Sequence, residues 1–396
     1  MVSNTLQKSS TQEGNIHILY RRHRESHVRK DAFEHASRGV GKPIRLVYLA
    51  FIRLPTEKAH GVQIMKTCEA FAGAGAEVEL IVPGRKTPIE EEPFAYYDVK
   101  KNFTLTPLAT PDWVGWGRLG FILSSLWFSE AAKWRKSFWN ADVVYSRDAF
   151  VLLQYLLLGR KLVYEAHTKP TPISKFVAKK AYKLIVISEG LRDAYIQAGV
   201  DQKKIIVAHD AVDVEAFKKH YDQKESRAWL GIPQNKKVAL YVGRLDSAKG
   251  ADTFAAVSEH LPDTALAVLI GAGPLTEALK EKYPKALFLP ETPYRELPRV
   301  LSVADVLVLP NSAQDIDAAL YSSPLKAFAY LATGKPIIAS DVPALRAVLK
   351  HRATYVAPNN AKALANKIFS APGLSGQERA YSWKERAQDI LNAVAQ

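Results

Sequence analysis

Two basic side chains, Arg244 and Lys249, stand in Tyr241-Val-Gly-Arg-Leu-Asp-Ser-Ala-Lys-Gly250, where a β-rich run gives way to a helix. A cation at a helix N-terminus opposes the helix dipole unless an anion sits there too, so the placement suits a phosphate group. The pair reads equally well as two solvated surface charges. Tyr321-Ser-Ser-Pro-Leu-Lys326 is a second junction of this kind. Ser323 is a favoured N-cap, Pro324 suits the first helical position, and Lys326 adds positive charge beside free backbone N–H groups; an ordinary capped helix is the alternative. Gly271-Ala-Gly-Pro274 follows another strand and would let a nucleotide approach the backbone, although two glycines before a helix are common in α/β proteins. Asp315-Ile-Asp317 has the spacing of a metal-binding pair and is read as loop, so no metal site is assigned.

Positioning these groups requires strands that end where helices begin. Ile44–Phe51, Glu77–Val82, Asp142–Tyr145, Lys161–Glu165, Leu184–Ile187 and Ile205–Val207 are short apolar runs separated by helix-period segments, the pattern of a parallel sheet. After the polar stretch Lys218–Ser226 a second series begins: Val238–Val242, Leu266–Ile270, Ala286–Leu289, Asp305–Leu309 and Pro336–Ala339. The expected fold class is therefore α/β, with two tandem Rossmann-like doubly wound domains facing a cleft. Such sheets bind ligands beyond the carboxyl ends of their strands. The expected boundaries are a basic N-terminal arm over 1–42, an acceptor-side domain over 43–215, a donor-nucleotide domain over 216–375, and a C-terminal helix over 376–396.

Length and charge narrow the function classes. A chain of 396 residues exceeds one ordinary core and fits two α/β domains. The 54 Lys+Arg against 40 Asp+Glu give a net charge of +14, which favours an anionic partner. Zinc-finger spacing, an RNP-like strand and a basic zipper helix are all missing, so nucleic acid is not expected and diphosphate or anionic lipid is. The single cysteine, Cys68, forms no internal disulfide and points to a reducing compartment. No apolar run reaches the ~20 residues of a membrane-spanning helix, and Met1-Val-Ser-Asn-Thr-Leu-Gln-Lys8 is not a secretory signal. The expected location is the cytoplasm, with room for peripheral contact at the inner face of the membrane.

Together these motifs resemble the retaining group-1 glycosyltransferases of GT-B fold. The likeness runs through Tyr-Val-Gly-Arg-Leu with Lys-Gly behind it, Gly-Ala-Gly-Pro, and Ser-Pro-Leu-Lys through Leu331-Ala-Thr-Gly-Lys-Pro-Ile-Ile-Ala-Ser340. It extends to Lys58-Ala-His-Gly-Val62, Tyr164-Glu-Ala-His167, Ile187-Ser-Glu-Gly-Leu191 and Asp210-Ala-Val-Asp213. The resemblance implies that Arg244 and Lys249 hold the diphosphate of a UDP- or GDP-sugar and stabilise its charge as the glycosidic bond breaks. It places His167 beside the transferred sugar; by itself, that residue reads equally well as a structural histidine after a strand. The loop at Gly61 is implied to approach the diphosphate from the opposite domain, and Gly243, Gly273, Ser323, Pro324, Leu325 and Lys326 to complete the donor site. Retention in this family is described as front-face substitution with no protein nucleophile and no obligatory metal. The co-substrate is then the nucleotide-sugar, no separate cofactor is needed, and the leaving phosphate takes the acceptor's proton.

Two positions depart from the pattern. Family members often carry a pair of glutamates where this chain has Tyr321 and Ala329, the second binding the donor ribose. Loss of that carboxylate costs about 1.5–3 kcal/mol if nothing replaces it. This raises an alternative: a catalytically impaired GT-B protein acting as a nucleotide- or partner-binding module. On the acceptor side, residues 113–139 contain five of the seven tryptophans. Leu119, Ile122, Leu123, Leu126, Trp134 and Phe138 share one rough face, with Ser125, Ser129, Lys133 and Lys136 on the other. Such a helix suits either an anionic membrane interface, with a glycan or lipid-linked acceptor, or the core of the first domain. The C-terminal Ala380-Tyr-Ser-Trp-Lys-Glu-Arg-Ala387 resembles the family's last helix, which crosses back onto the first domain.

Overall fold

The apolar runs form two sheets in the computed structural model, which describes residues 42–370 and 380–396. Residues 1–41 of the expected arm and residues 376–379 lie outside the described residues. The first sheet contains β1 (Arg45–Leu49), β2 (Glu77–Pro83), β3 (Thr104–Leu108), β4 (Val143–Ser146), β5 (Leu162–Ala166), β6 (Lys183–Val186) and β7 (Ile205–Val207). Its spatial order is β3-β2-β1-β4-β5-β6-β7. The second contains β8 (Lys237–Val242), β9 (Ala265–Ile270), β10 (Leu287–Leu289), β11 (Val306–Leu309), β12 (Ile337–Ser340) and β13 (Thr354–Val356), in the order β10-β9-β8-β11-β12-β13. All described pairings are parallel.

Helices cover both faces of each sheet, and this is why central strands such as β4 and β9 are apolar and buried along their length. The strand order reverses between β1 and β4 and again between β8 and β11, placing the two ligand-binding crevices where Phe51 and Arg147, and Gly243 and Pro310, emerge. The edge strands β3 and β13 do not stand out in the sequence. Thr104-Leu-Thr-Pro-Leu108 is half exposed and carries a proline that only an edge tolerates, and β13 is three residues long.

Five helices matter below: α1 (Ala59–Gly73), α2 (Gly117–Lys133), α3 (Glu189–Gln197), α4 (Leu325–Thr333) and α5 (Trp383–Ala395). Helix α5 starts in a capping box of Ser382 and Glu385. Its residues Ala387, Ile390, Leu391 and Val394 recur at helical spacing and join Ile64, Cys68 and Phe71 of α1 in the core of the first sheet. The chain's last helix therefore packs on the domain in which the described chain begins. The N-terminus of α3 meets the second domain closely: the Ser188 hydroxyl donates to the Tyr321 carbonyl at 2.9 Å, and a Cβ on Gly190 would lie 2.3 Å from the Leu320 carbonyl oxygen.

Helix α2 contradicts the core-facing reading of its apolar stripe. Gly120, Ser124, Ser125, Phe128, Ser129 and Ala132 are buried, while Leu119, Leu123, Leu126 and Trp127 face outwards, flanked by exposed Trp116 and Trp134. Small and hydroxylic residues let the helix approach closely: a Cβ at Gly120 would lie 1.8 Å from the Trp113 carbonyl oxygen. Ser124 accepts from the Trp113 N–H, and Ser129 donates to the Ser125 carbonyl while accepting from Gln154. Phe138, expected on the same face, is instead fully buried.

Packing of α5 gives a stability test. Ile390→Ala should lower the unfolding free energy by about 2–5 kcal/mol in urea denaturation, because it opens a cavity at a fully buried position. Leu157→Ala, at a residue 97% exposed, should stay within about 0.5 kcal/mol. Equal effects of the two would contradict the docking of α5.

Candidate active site

The loop after β8 is folded by two glycines. Gly243 has φ +140° and Gly271, after β9, has φ +144°; a Cβ on Gly271 would meet the Gly243 carbonyl oxygen at 2.1 Å, and one on Gly273 the Leu245 carbonyl oxygen at 2.3 Å. These contacts account for the Gly-Ala-Gly turn: the glycines let two loops pack together. The Tyr241 hydroxyl donates to the Arg244 carbonyl at 2.6 Å and fixes the loop from below. Gly250 starts the next helix at φ +70°, with the Pro310 carbonyl oxygen 1.8 Å from where a Cβ would be.

Three cations surround this loop. The Arg244 side chain is 65% exposed and pairs with Asp246 at 3.2 Å. Asp246 also accepts from the Lys249 backbone N–H at 2.8 Å, which places the Lys249 side chain at the helix start. Lys326, on the first turn of α4, is the unusual member. Its ammonium is buried with no hydrogen-bond partner among the described residues, lies 4.0 Å from the centre of the Tyr241 ring, and is 3.4 Å from where a Gly243 Cβ would stand. Burial, and then the charge of Lys249, push its pKa down to about 7, with Asp246 opposing. A buried ammonium without an acceptor is costly, and an anion placed between it, Lys249 and Arg244 removes that cost. Asn311, after β11, is likewise fully buried with both amide atoms unpartnered among the described residues, a polar group at the same carboxyl end of the sheet that its sequence context does not reveal.

The start of α4 differs from expectation. Ser323 does not cap it: its hydroxyl accepts from the Asp210 N–H at 2.9 Å and joins the two domains. Pro324 occupies the N-cap position, Leu325 is the first helical residue, and no side chain caps the turn, leaving its positive dipole end uncompensated. Asp315 accepts from the Ala318 N–H at 2.7 Å and Asp317 pairs with Lys169 of the first domain at 3.3 Å; Asp317 is not a loop residue as expected but begins a π-helical turn, Asp317–Tyr321. Ala329 is buried in the second domain's core.

On the first domain, Gly61 lies in the first turn of α1 and not in a free loop. Its N–H donates to the Lys58 carbonyl at 2.9 Å, and its missing Cβ accommodates the Tyr97 hydroxyl, 2.2 Å from the Cβ position. His167 stands just beyond β5, its side chain 14% exposed, with Nε2 2.9 Å from Glu165 Oε1. Burial and the charge of Arg147 push its pKa down to about 4, so the ring is neutral near pH 7. A pocket of about 360 Å³ opens in this domain, lined by Phe51, His60, Arg147, Tyr164, Thr168 and Ile173 among others; His167 itself is not in its lining and adjoins it through its chain neighbour Thr168. Arg147 donates to Gln63, and the carboxylate of Asp148 accepts from the Phe150 and Val151 N–H groups. The structure thus gathers Arg244, Lys249, Lys326 and Gly243 at one sheet edge and His167 at the other.

Comparison with known proteins agrees with this architecture. The family described as Glycosyl transferases group 1 matches residues 222–389, and Glycosyltransferase Family 4 matches residues 60–216. A D-inositol 3-phosphate glycosyltransferase of Nocardia farcinica is 24% identical over 257 residues, 60% of this chain and 55% of its own length. One of Xylanimonas cellulosilytica is 24% identical over 387 residues, 85% of this chain and 91% of its own. The chain spans about half the length of several other curated relatives it matches. Among solved structures, Anabaena HepE in complex with UDP and glucose superposes with a TM-score of 0.69 at 16% identity, covering 89% of this chain and 99% of that one. Sucrose-phosphate synthase from Thermosynechococcus elongatus gives 0.66 at 19% identity, covering 88% and 94%. Identities this low show the fold alone, and that fold is the two-domain, Rossmann-like GT-B arrangement. None of these findings favours the reading of a protein that has lost catalysis. With both halves of the chain matched in order by the two family descriptions, the protein belongs to the group-1 glycosyltransferases.

Proposed function

We propose that this protein transfers a sugar, with retention, from a nucleoside-diphosphate sugar to an acceptor hydroxyl held in the first-domain pocket. The observation that carries the reading is the unpartnered Lys326 ammonium, with Lys249 and Arg244 around the same glycine loop. These cations meet the diphosphate and take up the charge that develops on it as the sugar leaves. The bond from the anomeric carbon to the phosphate oxygen breaks, that from the same carbon to the acceptor oxygen forms, and the acceptor's proton passes to the departing phosphate. In this reading the cations of the loop supply the charge stabilisation, and no obligatory metal is invoked. UDP is the preferred nucleotide, because the similar HepE fold is recorded with UDP and glucose.

The acceptor is proposed to be lipid-linked, with α2 resting on an anionic membrane. Its outward face carries Leu119, Leu123, Leu126 and Trp127, with Trp116 and Trp134 at its ends and exposed Arg118, Arg135 and Lys136 around them, the composition of an interfacial helix. Phe121 packs edge-on against Phe51 with ring centres 5.3 Å apart, so this surface is continuous with the pocket that Phe51 lines. No helix among the described residues is long and apolar enough to cross a membrane, so contact through α2 would be peripheral.

Two tests follow. Arg244→Ala and Lys249→Ala should each reduce donor turnover, measured as UDP release from UDP-sugars, by roughly a hundredfold or more. The exposure of Arg244 predicts a stability change within about 0.5 kcal/mol for its variant. Turnover unchanged in both variants would remove the site. In sedimentation with vesicles containing anionic lipid at low salt, the protein should pellet, and Leu123→Glu with Trp127→Glu should leave it in the supernatant. A wild-type protein that stays in the supernatant would exclude the membrane contact.

A further inference from the structure

A closed network of charged and polar groups underlies the first-domain pocket. Glu165 projects from β5 and is fully buried. On its Oε1 converge Arg386 Nη2 at 2.6 Å, Gln63 Nε2 at 2.7 Å and His167 Nε2 at 2.9 Å, while the Tyr145 hydroxyl donates to Oε2 at 2.5 Å. Arg386, 1% exposed, arrives from α5, and its Nε and Nη1 donate to the His209 carbonyl at 2.9 Å and the Thr67 hydroxyl at 3.3 Å. The other charged or titratable groups facing this centre are Tyr48 on β1, Cys68 on α1, Arg147 after β4 and Asp210 after β7. Burial raises the Glu165 carboxyl, but Arg386, the His167 hydrogen bond and the charge of Arg147 hold it well below the usual carboxylate range.

An ionised carboxylate only accepts hydrogen bonds, so the imidazole nitrogen facing it must carry the proton. In a neutral ring that leaves Nδ1, which has no protein partner among the described residues, as the acceptor. We propose that Arg386 and Glu165 are positioning residues for His167: Arg386 keeps Glu165 an acceptor, and Glu165 holds His167 as the Nε2–H tautomer with Nδ1 open to a substrate hydroxyl. The inference rests on the reading of His167 as a neighbour of the transferred sugar. It gives the C-terminal helix a second task, since the side chain that docks it on the first domain also sets the state of His167, the chain neighbour of the pocket-lining Thr168.

Nitrogen NMR of the full chain, labelled in the histidine rings, reads the tautomer directly; the His167 signals are identified by their loss in His167→Gln. The wild type should show Nε2 protonated and Nδ1 bare from about pH 5 to 8, above the His167 pKa. Arg386→Met should lose that fixed tautomer and move the acid limb of the turnover profile to higher pH, because Glu165 then takes up a proton more readily. Arg386→Lys should restore both. A lone buried carboxylate can prevent folding, so Glu165→Gln with Arg386→Met is measured alongside as an uncharged pair, with a mixture of tautomers expected. A folded Arg386→Met variant, or a folded double variant, that keeps the pure Nε2–H tautomer overturns the proposal. If the tautomer shifts as expected while His167→Gln retains full turnover, the positioning stands and the placement of His167 beside the sugar falls.

Discussion

A lysine ammonium removed from water without an acceptor is the constraint on which the functional account depends. Lys326 is driven into this state by its position on the first turn of α4, which carries its ammonium over the Tyr241 ring and behind a loop whose glycines bring two backbones into contact. Nothing among the described residues compensates it fully: the Tyr241 ring supplies a face, Asp246 is engaged by Arg244 and by the Lys249 backbone, and Lys249 adds repulsion. Such a centre is stable when loaded with an anion and destabilising when empty, a property expected of a binding site preorganised for charge that appears during reaction.

The two halves of the chain meet through a small set of specific contacts. Ser188 reaches Tyr321, Ser323 reaches Asp210, Lys169 faces Asp317, and Arg295 pairs with Glu91 at 2.7 Å. Most are single hydrogen bonds or partly exposed ion pairs, individually weak. The durable connection is α5, which carries an apolar stripe and the buried Arg386 into the first domain's core. A cleft bounded by one strong tie and several weak ones permits closure over a donor without loss of register.

Much of the fold was legible because parallel strands buried on both faces must be apolar throughout, which makes runs such as Val306–Leu309 stand out. The edge strands β3 and β13 escaped, since neither needs that composition. Arg244 and Lys249 could be found from their placement at a strand–helix junction, but the burial that distinguishes Lys326 could not, as it depends on Gly243 and Tyr241 packing around it. Periodicity located the apolar stripe of α2 without telling which side is buried; the decisive facts are the small side chains Gly120, Ser124 and Ser125, which pack more closely than leucines can. Glu165 and His167 are two apart at the end of a strand and share a face, a visible signal, whereas Arg386 is 221 residues away from Glu165 and only the fold brings it there.

Proton uptake on nucleotide binding tests the central claim most directly. Calorimetric titration with UDP at pH 8, in two buffers of different ionisation enthalpy, counts the protons that accompany binding. Lys326 is mostly neutral there before the anion arrives and charged afterwards, so about one proton per UDP should be taken up, and Lys326→Met should abolish the uptake. Tight binding by the wild type with no proton uptake would contradict the account.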